Sequence, residues 1–265
     1  MGKLLSVTII ALCLVLATAC WPQQGGSLAG EGAPEISLKE TVSLAKFDKE
    51  VLRCRREMRQ YCAIVQQLMT AGSADPEQAE KALRFLIAAK EQWQVIRKTY
   101  EVNPPVPYVA DSKFKSRLAD VADAFEDMES HLQAGRARRS FQACGFACGL
   151  FGAMHEENGL IYAVDRLFAL RKTLKTLTAL EKAEKPEAVR SVLPDLLQHR
   201  NRALLAPCPS PEDLERCEQY RTAVKALSSA LDDLAIAVAR GDAKAIPSLL
   251  DHVAARLNTA YGIAL

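Results

Sequence analysis

The sequence predicts an all-α protein built as a tandem duplication of an antiparallel four-helix bundle, with about eight helices in all. Two observations support this fold class. Beyond residue 36, apolar side chains recur at spacings of three and four, helix-forming residues dominate, and no strand-like alternation persists. The same order of helices and breaks then occurs twice along the chain, which indicates a repeated unit.

The first bundle is predicted to occupy residues 37–159. Asp75 and Pro76 provide a cap and a first helical residue for its second helix. A proline-rich loop at residues 103–107 separates the second and third helices, and Asn158-Gly159 ends the fourth. The predicted helices run over about 37–70, 76–100, 111–135 and 137–157.

The second bundle is predicted to occupy residues 160–265. Lys185-Pro186-Glu187 mirrors Asp75-Pro76-Glu77, and a second proline-rich loop follows at residues 207–211. The predicted helices run over about 160–182, 186–205 and 212–240, and then from the Gly241 turn to the C-terminus. The segment KFKSRLADVADAFEDMESHLQAGRAR aligns with QYRTAVKALSSALDDLAIAVARGDAK at an offset of 106 residues, and the alignment superimposes Gly135 on Gly241.

The first nineteen residues have the pattern of an export signal, with Lys3 followed by an apolar run from Leu4 to Leu16. The ending LATAC resembles the lipobox of bacterial lipoproteins, with Ala17 where leucine is usual. This resemblance implies cleavage before Cys20, lipidation of Cys20 and attachment to the membrane. Trp21 implies the periplasmic face of the outer membrane. Ordinary secretion, with cleavage at the same small residues, is the alternative. Residues 20–36, rich in Gly and Pro, are predicted to form a flexible tether.

Charge and motifs exclude several function classes. The formal net charge of +2 gives no electrostatic basis for binding nucleic acid. The arginines of the segment 53–59, namely Arg53, Arg55, Arg56 and Arg59, are expected to form a solvated helix face. The chain has no Gly-rich phosphate loop and no Gly-x-Ser-x-Gly motif, so no enzymatic activity is predicted.

The C-terminal segment ARGDAKAIPSLLDHVAARLNTAYGIAL resembles the last helix of the cytochrome c′ and cytochrome b562 four-helix bundles. In cytochrome c′ that helix carries a Cys-x-x-Cys-His motif that binds haem covalently. Neither half of this chain has the motif, so covalent haem c is not expected. Met154 and His155 are adjacent and cannot both face one point, so the resemblance implies a member that has lost its cofactor.

Cysteine spacing predicts disulfides between helices. Eight cysteines are present; removal of Cys13 with the signal and lipidation of Cys20 leave an even six. Cys54, Met58 and Cys62 share one face of the first helix, and Cys144, Cys148 and His155 share one face of the fourth. An antiparallel register pairs Cys54 with Cys148 and Cys62 with Cys144. The two spacings differ by about 6 Å of helix rise, so both bonds cannot have ideal geometry without a bend. A local disulfide is predicted between Cys208 and Cys217.

The same first-bundle face supports an alternative. Thiolates and a thioether are ligands that Cu(I) prefers. The candidate copper ligands are Cys54, Met58, Cys62, Cys144, Cys148 and His155. Buried unpaired thiols are a further alternative. The sequence therefore predicts a non-catalytic lipoprotein of the cell envelope, a binding or scaffolding module for an unknown envelope protein or ligand. The alternative function is a copper or haem carrier.

Overall fold

The computed structural model describes residues 38–71 and 75–265, with side chains from Ser43 onward. Its helices, numbered α1 to α8 in chain order, span Leu38–Ala71, Pro76–Tyr100, Phe114–Gln133, Ala137–Glu157, Ala163–Lys182, Pro186–Leu204, Leu214–Arg240 and Ile246–Ala264. The described residues contain no strand, so the predicted all-α class is confirmed. The predicted signal peptide, Cys20 and the tether lie outside the described residues.

Helix boundaries follow local capping. The Asp75 side chain accepts a hydrogen bond from the Gln78 N–H at 3.1 Å and begins α2 where the sequence predicts it. The third helix begins at Phe114, later than predicted, because the Asp111 carboxylate accepts from the Lys113 N–H and forms a turn. The fifth helix also begins late, since the residue before it, Tyr162, has extended backbone angles.

The turns after α3 and α7 have the same construction at an offset of 106 residues. Gly135 has φ +71° and Gly241 has φ +70°. In the first turn the Arg136 N–H donates to the His131 carbonyl, and in the second the Asp242 N–H donates to the Ala237 carbonyl. This is the pattern of a helix C-terminus closed by a left-handed glycine. The two glycines that the sequence aligns therefore perform the same structural task.

Each set of four helices packs as a ring around its own core. In the first, α1 packs on α2 and α4, and α3 completes the ring; α5 to α8 repeat this arrangement. The first core is rich in aromatic residues, and within it Trp93 contacts Phe125 and Phe151 edge-on and donates to the Leu118 carbonyl at 2.9 Å. The second core is mainly aliphatic, with Leu167, Leu231 and Val253 fully buried. The described residues, from Leu38 onward, form one compact unit.

Corresponding helices of the two bundles run in the same direction. Asp48 and Arg55 of α1 contact Tyr162 and Asp165 respectively, so α1 and α5 run the same way. Because neighbouring helices are antiparallel, one end of the molecule collects three connections, residues 101–113, 158–162 and 205–213. We call this the loop end. The first turns of α1 lie there too, since Phe47 contacts Tyr100 and Tyr108.

Candidate functional site at the junction of the bundles

A buried ion pair joins the two bundles. Arg55 of α1 donates through Nη1 to Asp165 Oδ1 of α5 at 2.6 Å. The Arg55 side chain is 2% exposed and the Asp165 side chain 13% exposed. The guanidinium carbon also lies 5.2 Å from the centroid of the Phe151 ring, so the cation is held between a carboxylate and an aromatic face. The expectation that Arg55 lies on a solvated helix face is therefore wrong.

His155, near the end of α4, completes the pairing of Asp165. Its Nδ1 lies 2.5 Å from Asp165 Oδ2, so both carboxylate oxygens face a nitrogen donor. Because an ionised carboxylate only accepts hydrogen bonds, the proton of this pair lies on Nδ1. The His155 side chain is 5% exposed, and its Nε2 has no hydrogen-bond partner in the structure. Asp165 thus connects three helices, α1, α4 and α5.

A second acidic residue extends the network toward the loop end. The Tyr162 hydroxyl donates to Asp48 Oδ2 at 2.5 Å, and the Tyr162 ring lies 4.4 Å from the imidazole of His155, centroid to centroid. The other oxygen of Asp48 is buried without a partner, as is the nearby Tyr108 hydroxyl. The network consequently contains two acidic residues, one arginine and one histidine.

Polar contacts between α1 and α8 flank this network. The Arg56 Nε donates to the C-terminal carbonyl of Leu265, and Arg59 Nη2 donates to the Asn258 carbonyl at 3.2 Å. Arg171 of α5 lies over the Tyr261 ring at 4.1 Å. Tyr261 follows His155 by 106 residues, the offset of the repeat. The two bundles therefore meet through corresponding helices, α1 and α4 from the first and α5 and α8 from the second.

The pKa values of the two acids move in opposite directions. Burial by itself would raise the pKa of Asp165, but the charges of Arg55 and His155 outweigh it and hold that pKa well below its usual range. Burial raises the pKa of Asp48, and the hydrogen bond from Tyr162 only partly offsets this. The junction therefore stabilises the charged form of Asp165 and penalises the charged form of Asp48.

The arrangement of Asp165 and His155 supports the pairing of buried charges rather than catalysis of a reaction. An aspartate on Nδ1 of a histidine is the pairing that prepares Nε2 as a general base. Here, however, the imidazole is enclosed between Asp165 and the Tyr162 ring, and almost none of it is accessible to a substrate from solution. The chemistry that this geometry performs is the pairing of buried charges across the junction.

Two of the predicted disulfides are present. Cys62 of α1 is bonded to Cys144 of α4, and Cys208 is bonded to Cys217 across the start of α7. Cys54 and Cys148, predicted as a further pair, are instead free thiols. The difference agrees with the unequal spacing of the two cysteine faces, because once Cys62 and Cys144 are joined, the helix rise carries Cys54 and Cys148 out of register.

The structure places several of the candidate copper ligands in other contacts. The Cys62–Cys144 disulfide offers no thiolate, and His155 is paired with Asp165. Met58 lies in the first core at 1% exposure. Burial raises the pKa of Cys54 and of Cys148, which disfavours the thiolate form that binds a metal. Among the described residues, no group of three or more His, Cys, Asp or Glu side chains is arranged to hold a metal ion.

Sequence reasoning missed Arg55, Asp165, Tyr162 and Asp48. One signal was present for Arg55, which follows Val51 by four residues and precedes Met58 by three, on the buried stripe of α1. An arginine within such a stripe requires a buried partner. No comparable signal identifies Asp165, because its partners lie on other helices and only the docking of the two bundles brings them together.

In comparisons with known proteins, no family model, no curated protein and no solved structure matches the chain. The resemblances to bacterial lipoproteins and to the cytochrome bundles thus stay predictions from the sequence. Within the described part of the chain, no helix is both long enough and apolar enough to cross a bilayer.

Proposed function

We propose that this chain is a non-catalytic, lipid-anchored module of the cell envelope that binds or scaffolds a partner protein or ligand. The observation that carries the proposal is the buried Arg55–Asp165–His155 network. It fastens the two bundles together through side chains from three helices, and it uses its titratable groups for that purpose. A surface that spans both bundles then keeps a fixed geometry, which is what a scaffold requires.

The sequence supports the proposed location. From the LATAC ending we propose Cys20 as the lipidated residue, and the first described helix begins 18 residues after it. The near-neutral net charge gives no reason to propose nucleic acid as a partner. Attachment to the periplasmic face of the outer membrane is part of the same proposal.

Lipidation is tested in a bacterium that produces the full chain and is grown with an alkynyl fatty acid. The alkyne incorporated into the chain is then coupled to a fluorophore. We expect the wild-type chain to be labelled and Cys20→Ser to lose the label. Cys148→Ser removes a thiol that is free in the structure and should keep it. Equal labelling of the two variants would refute lipidation at Cys20.

The scaffold role is tested by affinity capture from native envelopes. We expect a protein to be retained by the wild-type chain and lost from Asp165→Asn, provided that circular dichroism shows both variants helical. Glu156→Gln removes an exposed ion pair to Arg166 between the same helices, so it should retain the partner. Equal retention by both variants would show that the fixed junction is not needed for binding.

A further inference from the structure

The loop end of the molecule concentrates exposed apolar side chains. Among the described residues, the most exposed large apolar side chains are Leu205 at 86%, Val102 at 82% and Leu214 at 81%. All three lie in or beside the loops that connect α2 to α3 and α6 to α7. Three more large apolar side chains at this end are exposed, namely Val109, Ile161 and Leu204. Apolar side chains that extend from several connections at one end indicate an interaction surface.

The loop end is also where the chain enters the fold. The first turns of α1 lie there, as the contacts of Phe47 with Tyr100 and Tyr108 establish. A Gly- and Pro-rich tether of the length predicted between Cys20 and Leu38 has a root-mean-square reach of about 25 Å. A lipid on Cys20 would therefore hold the loop end, rather than the opposite end, close to the bilayer surface.

We propose that the loop end is a membrane-seating surface, at which Leu205, Leu214 and Val102 insert into the lipid headgroup region. This inference rests on the proposed lipidation of Cys20 and deepens it. A few aliphatic side chains bind a bilayer weakly by themselves, but the tether makes their insertion an intramolecular step at high effective concentration. The result is a module with a defined orientation, in which the turns after α3 and α7 point away from the membrane.

The experiment uses the full lipidated chain, reconstituted into vesicles of phosphatidylethanolamine and phosphatidylglycerol. An environment-sensitive fluorescent amino acid replaces Leu205 in one variant and Ile236 in the control. Ile236 is an exposed apolar residue of α7, 49% accessible, near the opposite end. We expect phospholipids brominated on their acyl chains to quench the fluorophore at position 205 several-fold more than the one at position 236.

Equal quenching at the two positions, with both variants fully bound to vesicles, would overturn the seating surface and leave lipid anchoring intact. A blue-shifted fluorophore at position 205 that does not respond to vesicles would assign the loop end to another occupant, such as the tether or a partner protein. This would also overturn the proposal. Equal fatty-acid labelling of the wild-type and Cys20→Ser chains would refute the anchor instead, so the two failures are distinguishable.

Discussion

Arg55 and Asp165 are separated by 110 residues in the chain and meet at 2.6 Å in the junction between the two bundles. A buried pair of this kind gives little net stability over an apolar pair, because both ions lose their hydration. Removal of one partner is costly, since the remaining charge stays buried without compensation. We therefore expect the pair to contribute to the specificity of the junction, and substitution measures its energetic role.

The first prediction concerns Asp165→Asn. We expect this substitution to lower the free energy of unfolding by about 3–5 kcal/mol, because it leaves the Arg55 cation unpaired within the junction. Urea unfolding followed by circular dichroism measures the change. Glu156→Gln removes an ion pair whose Glu156 side chain is 66% exposed. In this variant the free energy of unfolding should fall by less than about 1 kcal/mol. Similar losses in both variants would contradict a special role for the buried pair.

The second prediction is the pH dependence that Asp165 confers. Because the folded protein holds the pKa of Asp165 below its unfolded value, this group stabilises the fold above the unfolded pKa. That contribution is lost as the pH falls below about 4 toward the folded pKa. We expect the free energy of unfolding to fall more steeply between about pH 5 and pH 2 in the wild type than in Asp165→Asn. Parallel curves would contradict the pairing.

The third prediction concerns Asp48, whose ionisation has the opposite effect on the free energy of unfolding. Burial raises the pKa of Asp48, so its ionisation opposes folding as the pH rises through that pKa. Asp48→Asn retains an acceptor for the Tyr162 hydroxyl and removes the charge. We expect it to raise the free energy of unfolding at pH 7, and to match the wild type below about pH 3. A loss of stability at pH 7 would show that the fold requires the charged form.

Local signals predicted most of the fold, and the ion pairing across the junction of the two bundles escaped them. Asp75 and Pro76 set the start of α2 through contacts within four residues, which a sequence reveals directly. Cys62 and Cys144 were identified because an antiparallel register relates two helix faces. Asp165 escaped detection because a carboxylate in the first turn of a helix is ordinarily solvated. The role of Asp165 depends on the packing of one bundle against the other, and helix periodicity does not predict that packing.

The fourth prediction tests the cysteine pairing. In denaturant without reductant, we expect an alkylating reagent to modify Cys54 and Cys148 and to leave Cys62, Cys144, Cys208 and Cys217 unmodified. After reduction all six should react. Peptide mapping by mass spectrometry assigns the sites. Protection of Cys54 and Cys148 before reduction would support the second cross-helix disulfide that the sequence predicts, and would contradict the pairing in the structure.

The last prediction compares glycines in two conformations. Gly135 and Gly241 both adopt positive φ where α3 and α7 end. An alanine Cβ at position 135 would meet no atom within 4 Å, so the cost of Gly135→Ala is conformational strain alone, about 1–2 kcal/mol of the free energy of unfolding. Gly145 of α4 has equally open surroundings. Because it lies within a helix, Gly145→Ala should stabilise the protein by about 0.5–1 kcal/mol. Urea unfolding of the two variants should therefore give shifts of opposite sign, and equal shifts would contradict the left-handed turn at Gly135.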